Sequence, residues 1–336
     1  MGYTSQAGQL LIVSQPTAGT FNNAIGTDGI AIKLRSGSFA ANRELMVPDP
    51  EIGGGRDTSD AYLGGVSWSG DFEFYGRTDA IATLLKGVLG VAAAPVTATG
   101  VTTHTFTPSD DTMPFFSVEE VIGNGLEAYR YTDVVMNTLH LEADANGYLQ
   151  GSVSLIARRQ IAGVTPTVAP KWDNTPMMVG TNIGITYNGV ALPAKSFSLD
   201  IANNFEDDDY RLGSFYIGDL TPKSREITAS FNIRHVSSAQ WRQATYGAPT
   251  VTEAGGLTVK APLVIKASSY ETISGSTPAT PYSTELTIPK FVLAPFSYEA
   301  SGDDILENDI EGRGLRPDPS VKILTAVVKT GKATVS

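Results

Sequence analysis

The chain has 336 residues, with 24 Lys plus Arg against 35 Asp plus Glu, a net charge of −11 and no cysteine. That length suits about two domains of roughly 100–200 residues each, and 41% apolar with 18% charged residues excludes a wholly disordered chain. The acidic excess argues against a nucleic-acid binder, whose affinity rests on Lys and Arg at phosphates, and the lack of Cys excludes disulfides, thiolate metal sites and cysteine nucleophiles.

Met1 to Gln6 carries neither the basic stretch nor the apolar segment of a signal peptide, so export by a cleaved signal is not expected. No run approaches the roughly 18 apolar residues that a membrane-spanning helix needs, and no membrane partner is expected. Ile30 to Arg35 reads as a strand. Residues 37–60 then read as a long loop with little regular pattern, mixing Arg43, Glu44, Arg56, Asp57 and Asp60 with Leu45, Met46 and Val47. Connections this long are usually functional. With no catalytic group on it, contact with another protein is its simplest role.

Val66 to Phe74 is the clearest strand, with Val66, Trp68, Phe72 and Phe74 on one face and Ser67, Ser69, Asp71 and Glu73 on the other. Then the period changes. From Thr78 or Asp79 as N-cap, Ile81, Leu84, Leu85, Val88 and Leu89 follow helical spacing, and Gly90 supplies the stop. Alternation returns at Asn137 to Ala143 and Leu149 to Ile156, around a turn at Asp144-Ala145-Asn146-Gly147. It recurs at Lys195 to Ile201, Glu226 to Arg234, Leu257 to Lys266, Thr284 to Leu293 and Val321 to Lys329. A second helix is expected from Ser237 or Ser238 to Tyr246, ending at Gly247, and a second turn at Ser301-Gly302-Asp303-Asp304. The protein is therefore expected to be mainly β.

The two strand–helix–Gly units can be superposed. Gly90 and Gly247 are 157 apart, as are Leu84 and Trp241, while Trp68 with Ile227 and Phe72 with Phe231 match at 159. One reading is two copies of one fold, residues 1–162 and 177–336, joined by a Pro-rich linker at 163–176. Two unrelated β domains that each carry one helix is the other. The helices are expected to pack on the sheets, with Leu84, Leu85 and Trp241 buried.

Catalytic signals are weak. His104, His140 and His235 lie in or beside strands with no nucleophile elbow near them. The glycines at 53–55 and 64–65 lack a phosphate-loop ending. Acidic clusters at Asp110-Asp111, Glu119-Glu120, Glu206 to Asp209 and Glu307 to Glu311 lack calcium-loop spacing and are expected to face water. No enzyme activity, cofactor or metal is expected.

The run from Glu51-Ile52-Gly53 through Gly65-Val66-Ser67-Trp68-Ser69-Gly70-Asp71-Phe72-Glu73-Phe74 to Leu84-Leu85-Lys86-Gly87-Val88-Leu89-Gly90 resembles the tail tube proteins of long-tailed phages. His104 to Pro108, Phe115 to Glu119, Tyr131 to Leu139, Phe197 to Phe205, Ser224 to Phe231 and Leu286 to Lys290 resemble them in the same order. The resemblance implies β-sandwich or barrel domains that close into rings of six, with rings stacking into a tail, and a protein made in the host cytoplasm and placed in the virion. It implies self-association as the main partnership, with tape measure, tail terminator and distal tail proteins as further partners and DNA passing through non-specifically. Two tube domains per chain make three chains per ring; six chains is the alternative.

Under that resemblance Asp71, Glu73, Thr138, His140, Glu142, Ser152 and Ser154, with Glu226, Thr228, Ser230 and Asn232, are expected to face the channel. Arg234 departs from an acidic lining. Arg43, Leu45, Met46, Val47, Arg56 and Asp57 are expected to stack one ring on the next. A tube of a contractile or secretion-type injection machine and a two-domain β-sandwich adhesin or carbohydrate-binding module stay as rival readings.

Overall fold

Side chains two apart along a strand share a face, and alternation in the sequence becomes alternation of burial. Phe72 and Phe74 are fully buried while Asp71 and Glu73 beside them are exposed. The computed structural model describes residues 5–53, 56–58, 60–123, 125–234, 238–253, 255–256, 258–297 and 307–336. His235, Ser237, Gly54, Gly55 and the expected turn at Ser301 to Asp304 lie outside them.

The N-terminal half contains β1 (Gln9–Gln15), the short α1 (Ile25–Asp28), β2 (Ile30–Ile32), β3 (Leu34–Met46), β4 (Tyr62–Tyr75) and α2 (Thr78–Leu89). It continues with β5 (Gly90–Ala92), β6 (Val96–Ala98), β7 (Val101–Pro108), β8 (Phe115–Ile122), β9 (Glu127–Asp144) and β10 (Gln150–Ala162). The C-terminal half contains β11 (Ile183–Tyr187), β12 (Val190–Ala191), β13 (Ala194–Ala202), β14 (Glu226–Arg234) and α3 (Ala239–Tyr246), then β15 (Ala261–Thr272), β16 (Pro281–Leu293), β17 (Glu307–Gly314) and β18 (Thr325–Thr330). The strand pairings are antiparallel.

In the N-terminal half the strands pair in the series β2–β1–β8–β9–β10–β4–β3. In the C-terminal half the series is β12–β11–β15–β16–β17–β14–β13. Each step of one series has a counterpart in the other, and a helix follows β4 in the first and β14 in the second. Two further pairings join the halves. β9 pairs with β13, from Thr138 opposite Ala202 to Asp144 opposite Ser196, and β7 pairs with β18, which also lies on β16. One sheet therefore runs β3–β4–β10–β9–β13–β14–β17 through both halves.

One face of that sheet sends Phe72, Phe74, Val153, Leu139 and Leu141, and then Leu199, Ile201, Ile227 and Phe231, into a core cluster shared by the two halves. Each such side chain contributes about 1.5–3 kcal/mol of burial. β1 shows why alternation does not reveal every strand: Leu10, Leu11, Ile12 and Val13 are all buried, because the strand is covered on both faces.

α2 is buried along its length apart from Asp79 and Lys86, so Ala80, Ala82, Thr83 and Gly87 are enclosed along with the expected Leu84 and Leu85. A Cβ on Gly87 would meet Met136 Sδ at 2.1 Å, so the glycine sets how closely the helix lies on β9. Its cap differs from the expected Thr78 or Asp79. Arg77 holds the N-cap position without capping the helix through its own side chain, which donates instead to Thr175 O, and the free amides are met from residues 163–176: Thr78 N–H donates to Thr175 Oγ1 (3.0 Å) and Ala80 N–H to Asp173 Oδ2 (2.7 Å). Gly90 closes the helix at φ +95° as expected. α3 is shorter and less enclosed. Ala244 is buried, whereas Trp241 is half-buried and packs edge-on to Tyr246 at 5.0 Å, so its expected full burial is not realised.

Residues 163–176 are tied down. Ala31 N–H donates to Lys171 O (2.8 Å), Asp173 N–H donates back to Ala31 O (3.0 Å), and Asp173 is buried under α2.

Residues 37–60 are not a loop throughout. Gly37 to Met46 belongs to β3, which pairs with β4 from Leu34 opposite Phe74 to Met46 opposite Tyr62, making a long β-arm; the described residues 47–53, 56–58 and 60–61 lie at its tip. The stretch from Ser36 to Asn42 is built of Ser, Gly, Ala and Asn around the single aromatic Phe39, so it has no apolar period to read. Phe39 is half-buried, stacked on Tyr131 at 3.9 Å and edge-on to Phe72 at 5.1 Å.

Candidate functional site: a polar sheet face and an exposed arm

The second face of the seven-strand sheet is polar, and its side chains line up in cross-strand rows. One row runs Ser36, Glu73, Ser152, His140, Asp200, Thr228, Arg313, each directly opposite the next. A second runs Ser38, Asp71, Ser154, Thr138, and a third Gln150, Glu142, Ser198, Ser230, Glu311. Asn232 lies between Ser196 and Asp309, and Glu226 sits opposite Ala202 at the start of β14. The residues expected to face the channel lie on this one sheet face, where Asp71 and Glu73 are exposed.

Sequence reasoning missed Ser198, Asp200, Asp309, Glu311 and Arg313 as members of this face. Ser196, Ser198 and Asp200 alternate with Phe197, Leu199 and Ile201, so the signal was present. What it lacked was the β9–β13 pairing, which sets the two halves' strands side by side.

Carboxylates dominate the face. Asp71, Glu73, Glu142, Asp200, Glu226, Asp309 and Glu311 are set against Arg35, His140, Arg234 and Arg313; Arg35 donates to Gln150 Oε1 and lies over the Tyr75 ring, and Arg313 is paired with Glu226 at 2.7 Å. At the join between halves, His140 Nδ1 lies 2.7 Å from Asp200 Oδ1, and its Nε2 lies 3.5 Å from Glu142 Oε2. The hydrogen bond to Asp200 is the main cause that raises the imidazole above its ordinary pKa, with Glu142 adding to it and partial burial opposing. Arg234 lies at the strand end, exposed and opposite Glu307.

One end of the face is covered. Residues 203–225, which join β13 to β14, fold back over it, and Phe205, Ile217 and Leu220 close on Val135 and Ile156. Val66 N–H donates to Phe215 O (2.7 Å), and Tyr216 lies 6.2 Å from Trp68. Asp209 and Asp219 both hold Arg211 at 2.7 Å.

The β3–β4 arm has no such cover. Leu45, Met46, Val47, Tyr62 and Leu63 are each about half exposed, and Ile52 is fully so. Arg43 donates from Nε to Gly64 O (3.1 Å) within the arm, and Arg56 and Asp57 are exposed at the tip. β3 pairs with β4 alone among the described strands, so its outer edge is open.

Other candidates resolve into structure. His104 is buried, stacked on Phe106, with Nε2 2.9 Å from Lys332 O. Glu119 and Glu120 do not face water: Glu119 is fully buried against Arg130 (2.9 Å), and Glu120 accepts from Tyr131 Oη (3.0 Å), which burial and that carboxylate push well above the ordinary phenol range. Burial likewise pushes the Glu120 carboxyl up. Among the described residues no group of three His, Asp or Glu could hold a metal ion, and no helix is long and apolar enough to cross a membrane.

No curated protein matches the chain. A family model described as phage tail tube protein matches residues 5–314, nearly the whole length, and so includes the polar sheet face, the arm and the residues covering it. A mainly β chain with that match belongs to the phage tail tube protein family, and is a structural component of the virion tail, made in the host cytoplasm.

Proposed function

We propose that this protein polymerises into stacked rings and that the polar face of the seven-strand sheet lines the channel through which DNA leaves the virion. The observation that carries this reading is the uninterrupted run of that face across both halves, with carboxylates on strands from each. Phosphates passing within about 8–10 Å feel those carboxylates at physiological salt, and few Lys or Arg are present to hold them. An acidic lining keeps a conduit from binding its cargo.

The matched pairing series supports a tandem duplication, in which residues 1–162 and 177–336 are two tube domains joined by 163–176. Six domains per ring then means three chains. The β9–β13 join is the joint between successive domains inside one chain, and the open edge of β3 marks where the next chain continues the sheet. Such an edge is an aggregation liability unless it is paired. The β3–β4 arm, with Arg43, Leu45, Met46, Val47, Arg56 and Asp57, is a contact between copies. Tape measure, terminator and distal tail proteins meet the assembled tube. The role is structural and needs neither catalysis nor a cofactor.

Electron microscopy of the purified protein tests this reading. Hollow tubes with threefold rings are expected; monodisperse single chains at all concentrations would point to a two-domain binding module instead.

A further inference from the structure

Residues 43–66 and 203–225 occupy matching places in the two halves. Ala41 lies opposite Trp68 in the β3–β4 pair, and Ile201 opposite Ile227 in the β13–β14 pair. The two segments leave just beyond those points and are of nearly equal length. The second crosses the β9–β13 join and covers Val135 and Ile156, which face each other on β9 and β10. It is a clasp across a joint between halves.

The C-terminal half presents the same surface without a cover. Val292 on β16 faces Arg313 on β17, as Val135 faces Ile156. Val292 is half-buried between the core residues Phe291 and Leu293. With Ala294, Pro295 and Leu315 it lines the apolar end of a groove of about 630 Å³, whose other end is the polar sheet face at Ser198, Asp200, Thr228 and Ser230, with Glu311 and Arg313 between them. No described residue of the chain fills this groove, while the arm carries apolar residues that have nothing to cover.

We infer that this groove receives the arm of the neighbouring copy in the same ring, Leu45, Met46 and Val47 seating over Val292 and Leu315 as Ile217 and Leu220 seat over Val135 and Ile156. The inference rests on the ring assembly proposed above. The internal joint argues for it directly: β13 pairs with β9 and its clasp lands on β9 and β10, and β16 and β17 hold the corresponding places in the C-terminal series, so a neighbouring β3 that follows the same pattern carries its arm onto them. The apolar arm is then a lateral clasp, which departs from the expected axial stacking role.

The chain has no native cysteine, so engineered thiols report this contact alone. The double variant Met46→Cys with Leu315→Cys, oxidised after assembly, is expected to lose most single chains to a covalent ladder that stops at three. A ladder that stops at six keeps the lateral seat and overturns the three-chain ring. A ladder running far past six places the arm on the next ring and overturns the inference. Tubes that assemble with no covalent product overturn it also, leaving the tube reading intact, whereas failure of the unmutated protein to form tubes overturns both. Val292→Arg provides an independent check: loss of tubes with an unchanged circular dichroism spectrum and melting temperature is expected, and normal tubes contradict the seat.

Discussion

The two insertions, residues 43–66 and 203–225, leave matching points of similar sheets and end in opposite circumstances. The second buries Phe205, Ile217 and Leu220 on its own chain. The first projects as a paired arm with Leu45, Met46 and Val47 in solvent. A segment that closes on its own chain strengthens the fold, and one that leaves its apolar surface exposed has, in the proposed assembly, another copy to cover it. The helices repeat the contrast on a smaller scale. Leu84 in α2 is wholly enclosed, and its counterpart Trp241 in α3 is half-buried.

The helices give the largest expected difference in stability. Leu84→Ala is expected to lower unfolding free energy by about 2–5 kcal/mol, the range for emptying a tight core site. Trp241→Ala is expected to lose less, in spite of the larger side chain, because Trp241 is not fully enclosed as Leu84 is. Denaturant titrations below the assembly concentration measure both, and equal losses would break the contrast.

The insertions come next. Ile217→Ala removes a buried side chain and is expected to cost about 2–4 kcal/mol. The triple change of Leu45, Met46 and Val47 to Ala or Ser is expected to leave stability within about 0.5 kcal/mol per site and yet abolish tubes in electron micrographs. A destabilised arm variant would mean that the arm packs on its own chain after all.

The smallest expected effect is at the join between the halves. Asp200 chiefly raises the His140 pKa, so the pair's contribution is complete below the unfolded value of about 6.5 and fades as pH rises through the higher folded value. Both side chains are partly exposed, which limits the effect to less than about 1 kcal/mol. His140→Gln is expected to flatten the decline of stability above about pH 6.5; an unchanged pH profile would show that the bond does not couple the halves.

Much of this was legible in the residues. The alternation from Val66 to Phe74 located β4 and its polar face, and Gly90 located the end of α2. The arm looks like a loop in sequence because an edge strand of Ser, Gly and Ala, with Phe39 as its single half-buried aromatic, needs no apolar period; its order comes from the backbone of β4. Asp200 was legible as an outward residue but not as a neighbour of His140, since sixty residues separate them and only strand pairing joins them. The burial of Glu119 and Glu120 is hidden in the sequence for a related reason. Nothing local announces Arg130 and Tyr131, the cross-strand partners that make their burial tolerable.

The most direct test of the account is a density map of the assembled tube at side-chain detail. The account predicts Asp71, Glu73, His140, Glu142 and Asp200 on the wall of the bore, with the sheet continuing from β3 of one chain to its neighbour. A map that places this face on the outside of the tube, or buried between rings, would contradict it.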